Sequence, residues 1–193
     1  MLLGAALLLA LQSAPAVPAA PAPERPMLEA FRTVCDKVDS LDGMKAAALA
    51  SGWEEISDDA EPRLGRLIRL GKEATKDDGT SSGVNFRRPM NGRTLMLVAS
   101  RFEDKSGVWG NGCRLYDFDA TAAIDPELLS KWMGRDPTGV QELGPTVGLK
   151  RLWEPGWRNG MTVEVNHVPP QSKLKDIFGL SGNVLVATAL GGF

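Results

Sequence analysis

The chain has 193 residues, 43% of them hydrophobic and 24% charged, with a formal net charge of −2. That composition describes an ordinary globular protein able to bury a real core. The slight acidity and the scatter of its Lys and Arg residues leave no long-range field to draw in nucleic acid or anionic membrane, and no nucleic-acid partner is expected.

The N-terminus reads MLLGAALLLALQ, with an uncharged apolar run from Leu2 to Leu11. Such a run fits the hydrophobic stretch of an export signal and falls short of the ~20 residues needed to span a bilayer. Small residues then recur two apart in Ala14-Pro15-Ala16 and Val17-Pro18-Ala19, as signal peptidase requires. Residues 1–20 therefore read as a cleavable signal peptide and 21–193 as a single α+β domain. No lipobox cysteine follows the apolar run. The expected location is periplasmic or secreted, with no membrane span left after cleavage.

Pro26 suits the first turn of a helix that carries Met27, Phe31, Val34, Cys35, Val38 and Leu41 at helical spacing. Asp39 or Ser40 caps a second helix with Leu41, Met44, Ala48 and Leu49 on its apolar side, and Gly52 ends it. A short strand follows from Trp53 to Ile56. Asp58 or Asp59, before Glu61-Pro62, starts a third helix that carries Leu64, Leu67 and Ile68 and is expected to stop at Gly71. Arg63, Arg66 and Arg69 read as its solvated face. The polar stretch Lys72–Gly83 reads as a mobile surface loop.

Strands then dominate. Val84–Arg87 and Arg93–Arg101 form a hairpin across Asn91-Gly92, whose residues both tolerate positive φ. Val108–Phe118 is a strand with Cys113 and Leu115 on one face. Asp125-Pro126-Glu127 opens a helix through Leu128, Leu129, Trp132 and Met133, and Gly134 stops it. Thr138–Gly148 reads as a loop. Three more strands follow, Lys150–Trp153, the alternating Met161–Val168, and Val184–Leu190, with a short helical turn near Leu174–Phe178 before the last. Val184–Leu190 is apolar on both faces and belongs in the middle of the sheet. The fold class is α+β, with N-terminal helices packed on a largely antiparallel sheet and one further helix between two strand groups.

Two cysteines in an oxidising compartment allow one pairing, Cys35–Cys113. Closing a loop of about 80 residues stabilises the fold by roughly 4–5 kcal/mol in the chain-entropy model. The rival reading takes Cys113 as a nucleophile with His167 as its base. Two distant cysteines and one histidine lack zinc spacing, so neither metal nor cofactor is expected. Asp117 and Asp119 fall two apart and read as a solvated strand end, because Thr121 and Ala122 do not continue a calcium loop. Trp53 and Trp132 lie on apolar faces and read as core.

Trp109, Trp153 and Trp157 lie at strand edges or turns, with Arg158 and His167 nearby in the chain, and form a candidate binding patch. The sequence thus points to an exported, disulfide-stabilised small domain with a non-catalytic binding or inhibitor-like role. Its ligand would be a protein, a peptide or a sugar. The alternative is a small hydrolase or thiol enzyme using Cys113 and His167.

Overall fold

A computed structural model describes residues 24–193, and the segment expected to be a signal peptide lies outside the described residues. Helix α1 (Arg25–Cys35) has Pro26 in its first turn and buries Met27, Leu28, Phe31, Val34 and Cys35 along one side. Helix α2 (Leu41–Ala50) begins where the Ser40 hydroxyl accepts the Gly43 N–H. Its Leu49 is exposed rather than packed, so the apolar side is narrower than the sequence suggests. Past Gly52 the chain forms β1 (Glu54–Ile56). It then enters α3 (Pro62–Thr75), whose first turn is capped by the Glu61 carboxylate accepting from the Leu64 N–H.

β2 (Gly79–Met90) and β3 (Arg93–Asp104) form a hairpin at Asn91-Gly92, with φ of 52° and 76°. These left-handed values suit the right-handed twist of the flanking strands. β4 (Trp109–Asp117) follows, and then α4 (Pro126–Met133), which the Asp125 carboxylate caps by accepting from the Glu127 and Leu128 N–H groups. The remaining elements are β5 (Gly139–Glu142), β6 (Leu149–Trp153), β7 (Met161–Val168), α5 (Lys173–Phe178) and β8 (Gly182–Gly191).

All eight strands join one sheet in the order β1-β2-β3-β4-β8-β7-β6-β5, and every pairing is antiparallel. Two four-stranded meanders therefore meet along β4 and β8, with Cys113 opposite Ala187. The class is α+β, and the segment read as central, Val184–Leu190, is indeed flanked by β4 and β7.

Strand alternation divides the side chains between two faces. The first carries Phe86, Leu97, Leu115, Leu185 and Val165 in register and is covered by α1, α2 and α4. Trp53 and Trp132 are buried on this side. The Cys35–Cys113 disulfide, with Cα atoms 5.4 Å apart, ties α1 to β4 within the same core. The second face carries Met96, Val98, Tyr116 and Val184, and α3 packs against it.

Two segments read as loops are ordered elements. Lys72–Thr75 completes α3, and Gly79–Gly83 is the first part of β2, paired with Ser100–Asp104 of β3. The polar side chains of this stretch reported exposure, since β1 pairs only with Asn85–Arg87 and leaves the rest of that edge open. Backbone pairing with β3 holds it. Within Thr138–Gly148, Gly139–Glu142 forms edge strand β5 on β6, again held by ladder hydrogen bonds and not by an apolar side.

Candidate functional site

Helix α3 lies across the second face but meets it closely only near its start. Leu64 is buried among Met96, Val98, Tyr116, Phe118 and Val184. Arg63 pins this end by pairing with Glu61 at 2.9 Å and Asp119 at 3.0 Å, with its guanidinium over the Phe118 ring. Farther along the helix the support disappears. The register row beneath it reads Gly83, Ser100, Gly112 and Thr188 across β2, β3, β4 and β8. Four small residues in one row cannot fill the gap to a helix, and Gly71 on the helix side adds no side chain either. A cleft of about 490 Å³ results, with Leu67, Ile68, Val98, Phe102 and Tyr116 as its apolar walls.

One side of this cleft is closed by a polar tie. Lys72 of α3 pairs with Asp58 at 2.7 Å, and the Asn85 amide of β2 donates to the other Asp58 oxygen at 2.7 Å. The Lys72 ammonium, through its hydrogen bond, holds the Asp58 carboxyl below the ordinary aspartate value.

Arg114 stands on the cleft floor. Its guanidinium folds back along β4 over Gly112, where an added Cβ would lie 2.6 Å from Nη1. Nη1–H donates to the Ser100 hydroxyl at 3.0 Å, and that hydroxyl donates in turn to the Gly112 carbonyl at 3.3 Å. Glycine at 112 thus serves two purposes, keeping the floor low and giving the guanidinium a place to lie. Burial pushes the neighbouring Tyr116 hydroxyl up, and the Arg114 charge partly offsets that shift. The arrangement offers an apolar slot with hydroxyls and a cation at its base. Among the described residues, no group of three His, Cys, Asp or Glu side chains could hold a metal ion.

The residues singled out from the sequence fall elsewhere. Cys113 is bonded to Cys35, so its sulfur is not a nucleophile. Trp153 is fully buried in the first-face core, and its Nε1–H donates to the Arg135 carbonyl at 3.1 Å. Trp157 is half-buried against Phe31 and Trp132, with Arg32 over its ring. Arg158 reaches back to the Asp36 carbonyl at 3.2 Å and to the Asp39 carboxylate. Trp157 and Arg158 therefore both hold the turn after β6 against α1. Trp109 lies under the Arg101 guanidinium at 4.7 Å. His167 is half-buried, with Nδ1 3.0 Å from Asn183 Oδ1.

Asp117 corrects the expectation of a solvated strand end. It is buried and pairs with Arg93 at 2.5 Å, while Asp119 is exposed. Burial raises the Asp117 carboxyl above its ordinary value, and the Arg93 charge works against that shift. In the sequence α3 reads only as a helix with Arg63, Arg66 and Arg69 on its solvated face, and the cleft beneath it is not foreseen. The available signal was glycine inside a strand, which marks a place where side-chain volume is being withheld.

Comparison of the chain with protein-family models, with curated proteins and with solved structures found no match.

Proposed function

We propose that this protein is an exported, non-catalytic binding module whose ligand occupies the cleft between α3 and the second sheet face. The observation that carries this reading is the row Gly83, Ser100, Gly112 and Thr188, which withholds side chains where a core would otherwise fill. A concave, mostly apolar pocket with a few convergent polar groups is the usual form of a small-molecule site. The apolar leader and the Cys35–Cys113 bond support export, because disulfides persist in oxidising compartments.

The cleft is tested with the uncharged fluorophore N-phenyl-1-naphthylamine. Its emission should rise saturably with the native protein. Gly71→Trp should abolish the rise while the protein still melts cooperatively, since the backbone there has room for a side chain, a Cβ meeting nothing within 4 Å. Absence of saturable uptake, or equal uptake by the filled variant, refutes the cleft as a site. Export is tested by the intact mass of protein recovered outside the cytoplasm, which should begin between about Val17 and Glu24. Retention of Met1 in that soluble material refutes it.

A further inference from the structure

We infer that the cleft takes a small amphiphile with a single carboxylate head, the head resting on Arg114 and the alkyl body lying between α3 and the sheet. This rests on the cleft being a binding site. Four ionised residues line it, and three are matched. Asp58 and Lys72 pair with each other, and Arg101 pairs with Glu103 at 2.8 Å while covering Trp109. Arg114 is the exception. Among the described residues no carboxylate pairs with it, and its guanidinium hydrogen-bonds to one neutral hydroxyl, that of Ser100.

A guanidinium carries five N–H donors in a planar fork that matches a carboxylate. Half-buried and matched to one hydroxyl, it leaves most of that capacity unused at the base of an apolar slot. Charge-assisted pairs in such partly desolvated sites are among the strong hydrogen bonds. The Gly112 position shows that the guanidinium is accommodated where it lies, because any Cβ there would displace it. The apolar walls beyond the head then select a hydrocarbon body over a small inorganic anion. With a net charge of −2, the protein as a whole does not gather anions, so any preference for a negative head must come from this local site.

The test uses decanoate, 1-decanol and decyltrimethylammonium, which share one chain length and differ in the head. Titration calorimetry on the full disulfide-bonded protein should give decanoate at least a tenfold lower Kd than decanol, and decyltrimethylammonium weaker binding than either. Arg114→Met should raise the decanoate Kd about tenfold, which corresponds to about 1.4 kcal/mol, and leave the decanol Kd within a factor of about two. Arg66→Met, on the outer surface of α3, should change neither.

A second readout does not depend on a variant that folds. The carboxylate of [1-¹³C]decanoate should titrate below its free value when bound to the wild-type protein, since a neighbouring cation favours the charged form. Equal affinity for decanoate and decanol, or an unshifted carboxylate, overturns the head assignment while the cleft survives as an apolar site. Decanoate binding that Arg114→Met leaves unchanged places the head elsewhere and also overturns it. Failure of both decanol and decanoate to bind, together with no uptake of the naphthylamine, removes the cleft itself.

Discussion

The two faces of one sheet are built from alternate residues of the same strands, yet they are finished differently. On the first face, β3 and β4 present Leu97, Ala99, Cys113 and Leu115 to three helices and a disulfide, and every one of these side chains is fully buried. On the second, the intervening residues Val98, Ser100, Gly112 and Arg114 meet a single long helix that is held at its start and by the Asp58–Lys72 tie. One face secures the fold and the other leaves space. A protein can keep a rigid cleft only where something else supplies the stability, and here that supply lies one residue away along each strand.

The largest expected difference concerns the bridge. Cys35→Ser and Cys113→Ser should each lower unfolding free energy by about 4.5 kcal/mol for a closure spanning 78 residues. The double variant should lose the same amount as either single one. Urea unfolding followed by tryptophan fluorescence measures this, and additive losses would show that the first face does not depend on one shared bond.

Adjacent residues on β3 sharpen the contrast. Leu97→Ala opens a void in a filled core and should cost about 3 kcal/mol. Val98→Ala widens a cleft already present and should cost about 1.5 kcal/mol, from transfer alone. Equal losses in chemical denaturation would mean that the second face is packed as tightly as the first.

Two glycines of the cleft should respond differently to alanine. Gly71→Ala should stabilise by about 0.5–1 kcal/mol, because Gly in a helix is costly and its Cβ would meet nothing within 4 Å. Gly112→Ala places a Cβ against the Arg114 guanidinium and should weaken decanoate binding without a comparable gain in stability. Thermal melts and titrations on both variants decide the point. A stabilised Gly112→Ala that binds decanoate normally would show that the guanidinium does not need its present seat.

The smallest effect is a difference in sign with pH. Asp58, on the cleft side, has a lowered carboxyl pKa, so its contribution is present above the ordinary value of 3.8 and is lost as pH falls through the folded value. Exposure limits it to a few tenths of a kcal/mol. Asp117, buried at the end of β4, has a raised one, so its favourable contribution is present below 3.8 and is lost as pH rises through the folded value. The stability difference between wild type and Asp58→Asn should therefore grow with rising pH, while that between wild type and Asp117→Asn should shrink. Denaturant midpoints between about pH 3 and 7 give both slopes, and parallel slopes would break the assignment.

Local chemistry made much of the fold legible in the sequence. Ser40 and Asp125 cap helices, Asn91-Gly92 turns a hairpin, Met161–Val168 alternates, and two cysteines allow a single pairing. Each of these signals lies within a few residues, so each could be read in isolation. Polarity misled at Gly79–Gly83 and Gly139–Glu142, because exposed side chains do not prevent backbone pairing with a neighbouring strand. The cleft was decided by tertiary structure alone. Gly83, Ser100, Gly112 and Thr188 come from four strands, and only the pairing of β4 with β8 and the register of β2, β3 and β4 bring them into one row under α3. Alternation along a strand fixes which residues share its face, but the row that crosses neighbouring strands depends on register, and register is set by the packing of the whole sheet.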